Sequence, residues 1–95
     1  SMTEYSLEFH KAARKEWSKL DANTRKQFAA KLQQRLSNPH VPGDRLSGSR
    51  ERYKIKLRSI GYRLVYEVLD GRLIVLVLAV GRRDKSDVYE RAHMR

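Results

Sequence analysis

Apolar and polar positions alternate most clearly between Tyr53 and Val68, in the segment YKIKLRSIGYRLVYEV. Because side chains along a strand point alternately to opposite faces, this alternation predicts two strands, at about 52–58 and 62–70. Gly61 is free to take a positive φ, which predicts a short turn between them. The segment is therefore predicted to be a β-hairpin with one apolar and one polar face.

The polar face of this hairpin gathers the cations Lys54, Lys56 and Arg63. Like charges placed opposite each other on a sheet repel, at a cost of roughly 0.2–1 kcal/mol per pair. A cluster of this kind indicates that a polyanion binds there. The alternative is a solvated outer face of an antiparallel sheet, which is a common arrangement.

The segments before the hairpin predict a short strand at 5–9 and two helices, at 10–20 and from Asp21 to about 37. Asp21 is expected to cap the second helix, because its carboxylate can accept free N–H groups of the first turn. The two apolar stripes are Ala13, Trp17 and Leu20, then Phe28, Leu32 and Leu36. Residues 40–52 contain Pro42 and two glycines and predict an irregular loop.

After the hairpin, Asp70-Gly71 predicts a second tight turn. Residues 72–80 are almost wholly apolar and predict a central strand that ends at Gly81. A last short helix is expected over 86–94, capped by Ser86. The order β-α-α-β-β-β plus a C-terminal helix predicts an α+β fold, a mainly antiparallel sheet with a helical hairpin on one face. We expect one domain over 3–95, with residues 1–2 as a remnant of cloning.

The composition adds a strong positive charge. The 95 residues include 21 Lys and Arg against 11 Asp and Glu, a net charge of +10. This balance indicates a nucleic-acid partner or, more weakly, an acidic protein or a membrane surface. There is no cysteine, and the longest apolar run is far too short to cross a bilayer. We expect a cytoplasmic protein without a membrane partner.

Ordinary catalytic sets are missing from the sequence. His10, His40 and His93 have no metal-ligand spacing and are expected to be exposed surface residues, so neither a metal nor a cofactor is predicted. Asp84 and Asp87 are expected to pair with the cations of the loop after the last strand. An enzyme built on this sequence would have to use cations and tyrosines as its catalysts.

Two segments, YKIKLRSIGYRLVYEV and VGRRDKSDVY, resemble the RelE toxins of bacterial toxin–antitoxin systems, within the wider RelE/ParE superfamily. KEWSKLD in the first helix also fits, and the similarity runs from about Tyr5 to about Arg91. The resemblance implies metal-independent cleavage of mRNA in the ribosomal A site, by attack of the substrate's own 2′-hydroxyl. It also implies a RelB-like antitoxin, the 70S ribosome and mRNA as partners, with operator DNA bound only through the antitoxin complex.

The resemblance also assigns roles to residues. Lys56 matches the general base, Arg83 the donor of a proton to the leaving 5′-oxygen, and Tyr89 a ring that stacks on a base. Lys54 and Arg63 match groups that stabilise the phosphorane. Further RNA contacts are expected from Arg45, Arg50, Arg58, Arg82 and Lys85. Relatives often carry Lys-Leu-Arg-Gly in the loop before the hairpin, where this chain has Arg45-Leu46-Ser47-Gly48. The loop arginine is missing, and Arg45 or Arg50 is expected to replace it.

Elementary electrostatics agrees with a lysine base, because a lysine loses its proton near neutral pH only if its charged form is destabilised. Lys54 and Arg63 would do this to Lys56. Two other functions stay open. One is a ParE-type toxin that inhibits gyrase with the same fold, and the other is a non-catalytic RNA- or DNA-binding module, for which the charge alone would suffice.

Overall fold

The computed structural model describes residues 4–48, 50–85 and 87–95, with only the backbone described at Lys85. Three helices and one four-stranded sheet form the described fold, in the predicted order. The elements are β1 (Ser6–Phe9), α1 (Lys11–Ser18), α2 (Ala22–Ser37), β2 (Arg52–Leu57), β3 (Tyr62–Leu69), β4 (Ile74–Arg82) and α3 (Val88–Met94). The prediction of an α+β fold is confirmed.

The sheet is mainly antiparallel, with the strand order β1-β4-β3-β2. β2 pairs antiparallel with β3 and β3 with β4, whereas β1 runs parallel to β4. β4 is therefore an interior strand covered on both faces, which explains its nearly continuous apolar sequence. The predicted end of this strand at Gly81 is wrong, because β4 continues to Arg82. A Cβ at Gly81 would lie 2.8 Å from Nη2 of Arg91, so glycine here lets α3 approach the strand closely.

Side-chain caps begin both helices of the helical hairpin. The Asp21 carboxylate accepts the backbone N–H of Thr24 at 3.2 Å, as predicted. The His10 ring caps α1 in the same way, with Nδ1 accepting the N–H of Ala12 at 3.1 Å, so the expectation of a merely exposed His10 is wrong. The hairpin packs on one sheet face, where the fully buried side chains are Ala13, Phe28, Leu32, Ile55, Leu64, Tyr66, Val75, Val77 and Val80.

α3 covers part of the other sheet face. Val88 and Ala92 of this helix are buried against a second apolar cluster formed by Val65, Leu78 and Ala79. The helix begins at Val88, with Asp87 in the capping position and making no side-chain capping bond. The predicted cap, Ser86, lies outside the described residues.

The loop before β2 has more structure than its composition suggests. It contains a 3₁₀ turn at Pro42–Asp44 and a bridge from Arg45 to Tyr53. The His40 side chain is 38% exposed, but it makes contacts that the sequence did not predict. Its Nδ1 lies 2.9 Å from the Tyr53 hydroxyl and its Nε2 lies 2.9 Å from Oδ1 of Asp70. The ring thereby ties the loop to β2 and to the turn before β4.

That turn also differs from a two-residue hairpin loop. Asp70–Arg72 form a 3₁₀ turn, and the left-handed conformation falls on Leu73, with a φ of 55°. The Tyr5 hydroxyl donates to Oδ1 of Asp70 at 2.6 Å and fixes the turn to the segment before β1. The Asp70-Gly71 signal therefore predicted the place of the turn but not its geometry.

Candidate active site

The hairpin of β2 and β3 brings three of the predicted site residues together. Lys56 lies directly opposite Arg63, and Lys54 lies opposite Val65. Tyr53, Ile55 and Leu57 point into the core on the other face, so all three cations share the face that α3 partly covers. The alternation of the sequence therefore predicted this convergence correctly.

The positive neighbours of Lys56 hold its pKa below the ordinary value for a lysine. Arg58 makes the largest contribution, followed by Lys54, burial and Arg63, and the carboxylate of Asp44 opposes them. The direction is the expected one, but Arg58 was expected only to contact RNA. Because a lysine acts as a base only after losing its proton, this environment favours general-base chemistry at Lys56.

Arg63 and Arg83 differ in how firmly the fold holds them. Arg63 is only 7% exposed, and its Nη1 donates to the Tyr62 carbonyl at 2.9 Å. Its register partner on β4 is Gly81, which lies two residues before Arg83. Arg83 is exposed, but its backbone N–H donates to the Gly61 carbonyl at 2.7 Å. The start of the loop after β4 is thus fastened to the turn of the hairpin, at the same end of the sheet as Lys56 and Arg63.

A network behind β2, not predicted from the sequence, supports Lys54. Arg35 of α2 donates to the Tyr66 hydroxyl at 2.8 Å and to the Lys54 carbonyl at 3.4 Å. It also forms an ion pair with Asp44 at 2.7 Å. Arg35 lies off the apolar stripe of α2, and the signal overlooked was Asp44, one of two carboxylates between α2 and the cationic strand. The pair fixes the backbone of Lys54 and partly neutralises the carboxylate that opposes the shift at Lys56.

Tyr89 lies on the first turn of α3 and is 37% exposed. It lines a groove between α3 and the loop before β2, together with Leu46 and Arg52. Arg52 is largely buried and joins two elements, because its Nη1 donates to the Ala92 carbonyl at 2.8 Å and its Nη2 lies 3.1 Å from Glu67. The sequence did not single out Arg52, whose neighbour in β3 is the only acidic residue of that strand.

The remaining predicted RNA contacts are distributed unevenly. Arg58 follows β2 and is exposed, and Arg50 has a 64% exposed side chain 3.8 Å from Glu67. Arg45 pairs with Glu51 at 3.4 Å. Arg82 does not join the cluster, because it pairs with Asp84 at 3.2 Å and lies 5.8 Å over the ring of Tyr62, whose side chain packs on the opposite face. The side chain of Lys85 lies outside what the structure describes.

Asp87 pairs with Arg91 one turn later in α3, at 2.7 Å, and among the loop cations whose side chains the structure describes, Arg82 pairs with Asp84 as expected. Arg91 and Arg95 also form ion pairs with Glu16 of α1, at 2.9 and 2.8 Å respectively. Burial raises the pKa of Glu16, but the hydrogen bonds from Arg95 and Val80 and the two positive charges outweigh it, so that the pKa lies below its ordinary value. This ionic latch fixes the helix that carries Tyr89.

The site is a set of cations around a face that carries no carboxylate opposite Lys54 or Lys56. Such a set can bind a phosphodiester, stabilise additional negative charge on it and accept one proton at Lys56. Among the described residues, no group of three His, Asp or Glu side chains converges as metal ligands would.

Comparison with known proteins gives consistent results. The family model of the ParE toxin of the type II toxin–antitoxin system parDE matches residues 7–86. A RelE-like toxin protein of Escherichia coli is 50% identical over 91 residues, or 96% of each chain. The mRNA interferase toxin RelE of E. coli strain K12 is 47% identical over 88 residues, or 93% of each chain.

Solved structures agree as well. A double arginine-to-alanine mutant of E. coli RelE in the free state superposes with a TM-score of 0.89 at 44% identity, over 97% of both chains. RelE in the intact E. coli RelBE toxin–antitoxin complex gives a TM-score of 0.80 at 46% identity, over 82% of this chain and 95% of that one. The fold and the cationic face define a toxin of a type II toxin–antitoxin system. The chain belongs to the RelE/ParE toxin family. No helix in the described part of the chain is long and apolar enough to cross a membrane.

Proposed function

We propose that this protein is an endoribonuclease toxin, an mRNA interferase that cleaves mRNA in the A site of the 70S ribosome. The observation that carries the proposal is the placement of Lys56 directly opposite Arg63, with Lys54 beside them and no carboxylate opposite. The similarity to E. coli RelE, which is itself an mRNA interferase, supports the same activity.

The reaction would use the substrate's own 2′-hydroxyl as the nucleophile. Lys56 removes its proton, and the oxygen attacks the adjacent phosphorus to form a phosphorane. Lys54 and Arg63 stabilise the added negative charge. The 5′-oxygen of the next nucleotide leaves with a proton from Arg83, so the products are a 2′,3′-cyclic phosphate and a free 5′-hydroxyl.

Dependence on the ribosome follows from the weakness of these groups. An arginine releases its proton reluctantly, because its pKa exceeds about 12. A catalyst of this kind gains most from a substrate already held in line for attack, since orientation alone supplies about 7–11 kcal/mol in favourable cases. mRNA bound in the A site would be held in that way, with Tyr89 stacked on one base.

The partners follow from the same proposal. E. coli RelE forms a complex with the antitoxin RelB, and we infer a RelB-like antitoxin for this chain. A net charge of +10 favours an acidic partner segment. Operator DNA would be bound only through the antitoxin complex. A target on the ribosome places the protein in the cytoplasm.

The test is single-turnover cleavage of mRNA on programmed ribosomes by Lys56→Ala and Lys56→Arg, with ribosome binding measured at the same salt concentration. Loss of a general base typically lowers the rate by about 10²–10⁴-fold, and binding should change far less. Lys56→Arg should not restore the rate, because arginine keeps its proton. Lys31→Ala removes one exposed charge from α2 and is the matched control. Rapid cleavage by Lys56→Arg would show that this position supplies charge alone.

The match to the ParE family model supports a second candidate, inhibition of gyrase without RNA chemistry. The same ribosome assay separates the two functions, because a gyrase inhibitor leaves mRNA on programmed ribosomes intact. A supercoiling assay with purified gyrase then reports the alternative directly. Inhibition of supercoiling in the absence of cleavage would replace the proposed function.

A further inference from the structure

Two adjoining cavities lie between α3 and the loop before β2, beyond Tyr89. One has a volume of about 250 Å³ and contains Tyr89 and Leu46 in its wall, and the other has a volume of about 450 Å³ and contains Arg50 and Met94. Ser47, Arg52 and His93 line both of them. The two cavities therefore form one groove, which runs from the predicted base-stacking residue towards Arg50.

The wall of this groove contains cationic side chains, two of which are already paired with carboxylates, Arg52 with Glu67 and Arg95 with Glu16. Among the described residues that line it there are three arginines and one histidine, and none of them is acidic. Arg52 is held under the groove by its ion pair with Glu67, with a side chain 11% exposed. Arg50 is different, because its 64% exposed side chain makes only a long contact of 3.8 Å with the same carboxylate. Arg50 is therefore able to turn to an anionic ligand.

The shape and chemistry of the wall favour flat rings over an acidic peptide. Tyr89 and His93 lie four residues apart on α3, on one face of the helix, and both are exposed. Leu46 and Ala92 give the first cavity an apolar floor. Cations alone are enough to bind the carboxylates of an acidic peptide. Exposed aromatic rings beside cations are instead typical of surfaces that bind single-stranded RNA.

We propose that this groove is a second nucleotide subsite, in which a base adjacent to the one on Tyr89 stacks on His93 while its phosphate pairs with Arg50. The subsite rests on the proposed function, because it takes the same RNA as the cationic face of β2 and β3. It adds His93 as a binding residue and gives Arg50 a definite partner in place of a general RNA contact. It therefore extends the substrate along α3, away from the phosphate that is cleaved.

The subsite predicts that affinity depends on the length of the RNA. Fluorescein-labelled 2′-O-methyl oligoadenylates of two and six nucleotides are suitable probes, because the methyl group blocks the 2′-hydroxyl and prevents cleavage. Fluorescence anisotropy with the free protein at several salt concentrations gives both affinities. The wild-type protein should bind the hexamer more tightly than the dinucleotide, since the single phosphate of the dinucleotide cannot occupy the cationic face and Arg50 at once.

Variants then assign this gain to the groove. His93→Ala and Arg50→Ala should each reduce the hexamer-to-dinucleotide affinity ratio by about five-fold or more, while His93→Phe should preserve it. Arg50→Ala should also reduce the slope of log affinity against log salt by about 0.7, the value for one phosphate contact with a single strand. Lys31→Ala, on the opposite side of the sheet, removes the same charge and should leave the ratio unchanged.

Equal affinities for the two oligonucleotides, or losses in His93→Ala and Arg50→Ala no greater than in Lys31→Ala, would overturn the subsite. Cleavage on programmed ribosomes reports the proposed function separately, because the methylated probes cannot be cut. A length effect without cleavage would support the nucleotide subsite and reject the proposed endoribonuclease activity. Cleavage by the wild type without a length effect would reject the subsite and support the proposed function.

Discussion

Lys56 and Arg63 share one face of the sheet without a carboxylate between them. Repulsion between such a pair costs up to about 1 kcal/mol, so stability alone does not explain the arrangement. A phosphate bound between the two side chains would relieve this cost. At the scale of single residues, the proposed chemistry would therefore depend on positive charges that destabilise one another until an RNA phosphate is bound.

Arg58 gives a direct test of this electrostatic coupling. It makes the largest contribution to the lowered pKa of Lys56. Arg58→Ala should raise that pKa, and because the base must be deprotonated, the rising limb of the pH–rate profile should move to higher pH. Cleavage near neutral pH should fall and recover on the alkaline side, while Arg58→Lys should keep the wild-type profile. An unshifted profile for Arg58→Ala, measured by single-turnover kinetics, would show that Arg58 does not set the pKa of the catalytic base.

Residue positions were predictable from the sequence only where the pattern is local. Lys54, Lys56 and Arg63 follow from a period of two along neighbouring strands. The partners of His40 are 13 and 30 positions away, so no local pattern could indicate them. The influence of Arg58 on Lys56 likewise depends on where the chain turns after β2, which alternation does not specify.

At the scale of elements, the position of α3 decides whether Tyr89 can take part in the site. This helix has only seven residues, too few to be stable alone, so tertiary contacts must hold it. Its apolar contacts are two small side chains, Val88 and Ala92. The ionic latch of Glu16 with Arg91 and Arg95 adds to this attachment, as does the hydrogen bond from Arg52 to the Ala92 carbonyl. The sequence predicted a helix here. It did not predict the latch, because the latch joins residues that lie far apart in the sequence and no local pattern indicates such contacts.

Glu16→Gln should loosen α3, because a neutral amide loses the two charge-assisted contacts. Hydrogen bonds to charged groups contribute about 1.5–3 kcal/mol each at most, which sets the scale of the loss in unfolding free energy. The folded pKa of Glu16 is lowered, so its contribution is complete above the unfolded value near 4.5 and disappears as the pH falls through the folded pKa. Wild type and variant should therefore converge in acid. Glu90→Gln, on the exposed side of α3, is the control for urea unfolding across pH.

Gly81→Val should displace the same helix by a different route. A Cβ there would meet Nη2 of Arg91 at 2.8 Å and Cγ2 of Val88 at 3.3 Å. Overpacking of this kind costs about 1–3 kcal/mol. Hydrogen exchange should show loss of protection in α3 with the strands retained. At Gly71 a Cβ would meet no atom within 4 Å, so Gly71→Val serves as the control. Unchanged protection in Gly81→Val would show that α3 tolerates a larger separation from β4.

At the scale of the whole molecule, the net charge of +10 is the property that a partner meets first. The helical hairpin and the hairpin of β2 and β3 were predicted from periodicity, because one face of each is buried, and the interior strand was predicted from its nearly continuous apolar run, because both of its faces are covered. The parallel pairing of β1 with β4 was not specified, because it joins the first strand to the last. Charge, unlike strand pairing, can be read from the composition alone.

We expect an acidic, largely disordered antitoxin segment to associate with this surface at a rate that falls steeply with ionic strength. Steering between opposite charges speeds encounter, and salt screens it over a Debye length of about 8 Å at physiological strength. Stopped-flow measurements at increasing salt concentrations should show the association rate falling more than the dissociation rate rises. An association rate independent of salt would mean that charge does not guide the encounter.

The residues of the ionic latch also bind the exposed backbone edge of β4. β1 pairs with this strand only as far as Val77, so the following backbone groups on that side have no neighbouring strand. Side chains replace it: Glu16 accepts the N–H of Val80, Arg91 donates to the Val80 carbonyl and Arg95 to the Leu78 carbonyl. An open strand edge is a template for pairing with another chain. The residues that hold α3 in place thus also close this edge and protect the toxin against self-association through its own sheet.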